Sequence, residues 1–123
     1  MQKLKKTEIL NHKKKIHQLF KSGNRFLIDE FQVVYSTSNS YDNWFNILVS
    51  VPKKKIKLAC NRNLLKRRIK EVIRRKKGKY ILKLKDKKKR VKIAFVYNSE
   101  KVLTYKVIEE KINLILQRLL KET

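Results

Sequence analysis

Residues 59–75 read ACNRNLLKRRIKEVIRR, and the period of this stretch sets how the rest of the chain must be arranged around it. Wound as a helix at ~100° per residue from Arg62, it places Lys66 at about 40°, Lys70 at about 80°, Asn63 at about 100°, Arg74 at about 120° and Arg67 at about 140°. Val72, Leu65, Ile69 and Ile73 fall between about 280° and 20°. One arc is cationic and its neighbour is apolar. Such a helix docks on a core through Leu65, Ile69 and Val72 while a fork of Arg, Lys and Asn donors faces outward, a surface suited to phosphate.

Working outward, Trp44 to Val51 alternates as a strand and Pro52, which cannot donate to a ladder, closes it. Lys53, Lys54 and Lys55 then begin a basic loop into a helix expected from Asn61 to about Lys77, with Gly78 as its end. Upstream, Phe31 to Ser36 is rich in Val and aromatic residues, and the polar stretch STSNSYDN from Ser36 to Asn43 joins the two strands into an expected hairpin. Asn11 to Ser22 carries Ile16, Leu19 and Phe20 at helical spacing, with Gly23 and Asn24 as its stop.

Downstream, Tyr80 to Leu84 fits either a further helical turn or a short strand, so residues 79–90 stay unassigned. After the charge run from Asp86 to Arg90, VKIAFVY from Val91 to Tyr97 is apolar almost throughout, as a central strand should be. Thr104 suits the N-cap of a last helix in which Ile108, Ile112, Ile115 and Leu119 recur at helical spacing. The expected order is helix, strand, strand, helix, strand, helix, in one α+β domain over residues 1–123, with no internal repeat.

The formal charge of +24 exceeds what a small acidic ligand requires, so a nucleic acid is the first expected partner and an anionic membrane the second. Between Lys53 and Lys92 lie 21 basic and two acidic residues, and five of the eight arginines fall in the stretch quoted first. Codon bias toward lysine does not place arginines there. A single cysteine excludes an internal disulfide and fits a reducing cytoplasm. No apolar run approaches the ~20 residues of a bilayer span, and MQKLKKTE lacks a signal-peptide core. No membrane partner and a cytoplasmic location are therefore expected.

Self-contained nuclease chemistry would need positioned carboxylates. The ten acidic residues are scattered, and the adjacent pairs Asp29–Glu30 and Glu109–Glu110 point to different sides of their elements. No catalytic residue and no metal site is expected. His12 and His17 are poorly spaced for one metal and read as surface residues. Cys60 reads as a small buried residue. Most of Phe20, Phe31, Tyr35, Trp44, Phe45, Phe95 and Tyr97 belong to the core of so small a domain, although one or two exposed rings beside cations would suffice to stack on bases.

The segment RNLLKRRIKEVIRR, preceded by SVPKKKIKLAC, resembles the signature of the bacterial ribonuclease P protein subunit, an Arg-Asn-Arg helix followed by Ile-Lys-Arg-Leu-Ile-Arg. IHQLFKSG is similar to the family's first helix and turn, ILVSVPKKK to its strand and basic loop, and IAFVY with the following Leu-Thr-Tyr to its last strand and helix. The resemblance covers about Leu4 to Glu122. It implies a two-layer α/β sandwich with a four-stranded or smaller central sheet and a left-handed βαβ crossover, ribosomal protein S5 domain 2-like.

By the same resemblance the chain is the protein subunit of a ribonucleoprotein endonuclease that removes the 5′ leader of precursor tRNA. Catalysis belongs to the RNA subunit, Mg²⁺ is held mainly by that RNA, and the protein alone is expected to be inactive. The implied RNA-binding residues are Lys53, Lys54, Lys55, Arg62, Asn63, Lys66, Arg67, Arg68, Lys70 and Arg74. Leu64 stands where the family has a second Arg, and Arg68, at about 240°, is the neighbour that would supply the missing donor. Ile16, Phe20 and Tyr35 are implied to line a leader cleft between the first helix and the sheet. The partners are the catalytic RNA and precursor tRNA, with no protein partner required. The rival reading is a basic ribosomal-type or RNA-chaperone protein without a role in cleavage.

Overall fold

A computed structural model describes residues 8–10 and 12–122; residues 1–7, Asn11 (the expected first residue of the first helix) and Thr123 lie outside the described residues. The elements are α1 (Lys13–Ser22), β1 (Asn24–Ile28), β2 (Phe31–Thr37), β3 (Phe45–Ser50), α2 (Ala59–Lys87), β4 (Val91–Tyr97) and α3 (Tyr105–Glu122). The four strands form one mixed sheet in the order β1-β2-β4-β3, in which only β3 and β4 run parallel.

Two expectations are corrected by that order. The segments Phe31–Ser36 and Trp44–Val51 are strands but not a hairpin, because β4 lies between them and pairs with both. The hairpin is β1–β2, joined by Asp29 and Glu30 with Asp29 in the left-handed region at φ 49°, a conformation Asp tolerates better than most residues. The expected order of elements omitted β1.

Pairing register sorts the side chains. Phe31, Val33 and Tyr35 of β2, Phe45 and Ile47 of β3, and Val91, Ile93, Phe95 and Tyr97 of β4 share the face that α2 and α3 cover. Val34 and Ala94 point the other way, into a smaller core with Leu10 and with Leu19 of α1. Apolar side chains thus stand on both faces of the sheet, and β4 is buried at Val91, Ile93, Ala94, Phe95 and Tyr97, as expected of a central strand. Gly23, just past α1, is required by close approach and not by φ: a Cβ there would lie 2.5 Å from the Leu19 carbonyl oxygen and 2.9 Å from Val34 Cγ1.

The α2 helix also departs from expectation, running through Gly78 to Lys87, so Tyr80 to Leu84 is helical. Leu65, Ile69, Val72, Ile73, Lys77, Tyr80 and Leu84 are buried along it, and the Tyr80 ring meets Phe45 edge-on at 5.6 Å. Tertiary anchoring on both sides of Gly78 outweighs the ~1 kcal/mol that an interior glycine costs. Lys88, left-handed at φ 57°, ends the helix, with its N–H and that of Lys89 returned to carbonyls of the last turn. At α3 the expected cap is present: Thr104 Oγ1 accepts the Val107 N–H at 3.4 Å.

Candidate nucleic-acid interface

The loop before α2 is built around Ile56, which is buried, and its turn closes through Lys55 and Ile56 N–H groups donated to the Pro52 carbonyl. Lys53, Lys54 and Lys55 are thereby left exposed. Arg62 reaches back across the turn, and its Nη1 donates to the carbonyls of Ile56 at 2.9 Å and Lys57 at 2.7 Å. That bond pair fixes the loop against the helix while three of the five guanidinium donors remain. The N-terminus of α2 has no side-chain cap and no acidic residue in its first turn, so its positive dipole end adds to the same basic patch.

Along α2 the expected arc is present for Arg62, Asn63, Lys66, Arg67 and Lys70. None of Asn63, Lys66, Arg67 and Lys70 forms an ion pair with another side chain among the described residues. Arg74 and Arg68 are placed differently. Arg74 grips Glu71 through Nε at 3.1 Å and through Nη2, which holds the Glu71 carboxyl below its usual range. Arg68 Nη1 donates to the Leu103 carbonyl at 2.6 Å on the opposite flank of the helix. That bond ties α2 to the segment leading into α3 and engages one of the five guanidinium donors of Arg68. Cys60, expected to be buried, is exposed, as are Leu58 and Ala59 beside it at the start of α2.

The opposite face of the sheet carries a groove. Lys15, Gln18 and Ser22 of α1 lie on one flank of Leu19, and Ile16 and Phe20 on the other. On the first flank, a cavity of about 370 Å³ is lined by Ile9, His12, Lys15, Asn46 and Lys92 together with the 40–43 loop, and a smaller one follows past Ser36. Lys15, Tyr41 and Lys92 border both. The Lys92 ammonium sits 4.2 Å from the Tyr41 ring centroid, and the Tyr41 hydroxyl meets Ser36 Oγ at 2.7 Å. Burial, with the nearby charge of Lys15, lowers the Lys92 pKa against the opposing pull of Asp42. Lys15 and Lys92 face one groove whose lining also holds the Asp42 carboxylate, and the lowered Lys92 pKa shows that burial and the like charge outweigh it, which favours an anion beside the two cations.

On the second flank, Ile16 and Phe20 are partly buried against the small core, and Arg25 lies over the Phe20 ring at 6.0 Å. Tyr35 does not join them. Its ring lies on the α2/α3 face beside Phe26, and its hydroxyl donates to Glu122 Oε2 at 2.7 Å. Burial, then that bond, pushes its pKa up to about 12. The expected cleft residue is thus on the wrong side of the sheet. Lys15, Tyr41, Asn46 and Lys92, which no local sequence pattern marks, border the groove.

The family model for ribonuclease P matches residues 4–120. The chain belongs to the bacterial ribonuclease P protein family. A ribonuclease P protein component from Porphyromonas gingivalis is 29% identical over 107 residues, which is 86% of this chain and 78% of that protein. The ribonuclease P protein of Thermotoga maritima superposes with a TM-score of 0.72 at 25% identity, covering 90% of this chain and 96% of that one. That of Staphylococcus aureus gives a TM-score of 0.70 at 21% identity over 91% and 94%, a likeness of fold. Membership makes this chain the protein part of a ribonucleoprotein enzyme family with an RNA-binding role in tRNA processing.

Magnesium is the ion such an enzyme implies, and a hard cation of this size takes oxygen ligands. The cationic arc of α2 offers ammonium, guanidinium and amide groups, and the adjacent Glu71 is held by Arg74 and Arg75. These residues do not fit a protein-held magnesium site.

Proposed function

We propose that this chain is the subunit that binds a catalytic RNA through α2 and the Lys53–Lys55 turn and receives the 5′ leader of precursor tRNA on the α1 face of the sheet. The RNA performs the cleavage that gives the mature tRNA 5′ end, and the protein alone is inactive. The single observation that carries this reading is the separation of two basic surfaces by the sheet: Arg62, Asn63, Lys66, Arg67 and Lys70 on one helix, and Lys15 with Lys92 in the groove beyond it. One surface neutralises the phosphates of a large folded RNA. The other is narrow and has Tyr41 beside its cations, which suits a single strand. The left-handed sense of the β3–α2–β4 crossover, a cytoplasmic setting and magnesium held by the RNA belong to the same proposal.

The test is cleavage of a precursor tRNA at low magnesium by a bacterial catalytic RNA, with and without the purified protein. The protein should lower the magnesium requirement and should leave the precursor intact when no catalytic RNA is present. Cleavage by the RNA-free protein would overturn the assignment.

A further inference from the structure

On the helical wheel Lys77 falls at about 60°, between Lys66 and Lys70, so by position it continues the cationic arc of α2. Yet it is 4% exposed. Its Nζ donates to Glu8 Oε1 at 2.7 Å, and Glu8 is also buried although it lies 69 residues away in the chain. From Glu8 the backbone runs along the outer edge of β3, where Ile9 bridges Ile47 in parallel and the Leu10 N–H donates to the Ile47 carbonyl at 2.6 Å. Leu10 then enters the small core beneath α1. Ile9, Leu10 and His12 form one wall of the groove that Lys15 and Lys92 face.

We infer that Lys77 and Glu8 are positioning residues for that groove. The pair reaches round the β3 edge from the α2 face and sets where the groove's N-terminal wall stands. A buried ion pair contributes little net stability, but removing one member takes away an opposite charge that the other was buried against, so the pair's effect is to fix the placement of the 8–10 segment. Lys77 is withdrawn from RNA contact by the same bond. This inference rests on the proposal that the groove receives the leader, and it adds that the RNA-binding helix and the leader groove are joined through one ion pair.

The experiment uses the protein assembled with a catalytic RNA and measures affinity for a leader-bearing precursor tRNA and for the mature tRNA. Glu8→Gln and Lys77→Met should each lower the precursor-over-mature preference by about fivefold or more, leave affinity for the catalytic RNA unchanged, and speed hydrogen exchange at the Leu10 amide. The double variant should be no worse than the poorer single, and the exchanged pair Glu8→Lys with Lys77→Glu should regain the preference. An unchanged preference in both single variants would overturn the inference, whatever the exchange rate. So would weaker binding to the catalytic RNA in Lys77→Met but not in Glu8→Gln, which would make Lys77 a direct RNA contact. A wild-type complex without preference for the precursor would instead overturn the leader reading, while Leu10 exchange would still report whether the pair pins the wall.

Discussion

Replacing Lys92 by Met tests the leader groove at the place where charge and burial conflict. Lys92 is held on β4, facing α1, with its ammonium 4.2 Å from the Tyr41 ring centroid and the charge of Lys15 nearby. A phosphate between the two lysines would relieve their repulsion. Its loss as a partner should cost about 1.5–3 kcal/mol of precursor binding, or roughly 10- to 150-fold in Kd. The salt dependence should become shallower by about 0.7 in log–log slope for one single-strand phosphate, and mature tRNA binding should stay unchanged. Stability should move little, because losing a cation–π contact of about 0.5–1 kcal/mol is offset by removing a partly buried, repelled charge. The melting temperature should stay within about 5 °C. Because the folded pKa lies below the usual 10.5, the unfolded chain binds more protons in that interval, so wild-type stability rises relative to Lys92→Met as pH climbs through it. Filter binding and calorimetry on the same samples measure both quantities. Equal losses for precursor and mature tRNA, or an unchanged precursor Kd in a folded variant, would refute the reasoning.

On α2, Lys66→Ala and Arg67→Ala should each weaken catalytic-RNA binding by about 1–3 kcal/mol, against a few tenths for Lys101→Ala on an exposed loop. Arg68→Ala and Arg74→Ala, whose guanidinium groups are held by Leu103 and Glu71, should register mainly in melting temperature; equal binding losses throughout would mean that only net charge matters. Phe20→Ala should cost about 1–3 kcal/mol of precursor binding if a leader base stacks there, whereas Tyr35→Phe should leave binding alone and lower stability by about 1.5 kcal/mol through its lost bond to a carboxylate. Finally, the Tyr35 hydroxyl and then Arg118 hold the Glu122 carboxyl below its usual 4.5. The stability separating wild type from Glu122→Gln should therefore be present at neutral pH and vanish as pH falls through that lowered value, as acid melts would show.

The amphipathic arc of α2, the apolar run of β4 and the Thr104 cap were legible because each is a local pattern with one period. Strand order was not. Alternation in Phe31–Ser36 and Trp44–Val51 shows two strands but not that a third separates them; only the two-faced burial of Val91–Tyr97 hints at it, since a central strand needs two neighbours. The face of Tyr35 was hidden for a related reason. Alternation groups Tyr35 with Phe31 and Val33 against Gln32, Val34 and Ser36, but helices cover both sides of the sheet, so parity alone does not say which helices face which set. The β1 strand is short and half exposed, and its turn is Asp-Glu without the Gly that marks most tight hairpins. The groove eluded the sequence because Lys15, Tyr41 and Lys92 come from a helix, a loop and a strand that meet only in the fold. Arg68 and Arg74 look like surface cations until their partners, Leu103 and Glu71, are in place.

The strand order β1-β2-β4-β3 also has a consequence for synthesis. The β1–β2 hairpin and β3 are made early, yet neither pairs with the other, and both wait for the strand ending at Tyr97. As the chain leaves the ribosome, its most basic helix is therefore complete before the sheet meant to support it can close. For that interval the nascent chain presents a positively charged helix, without its finished core, in the presence of ribosomal RNA.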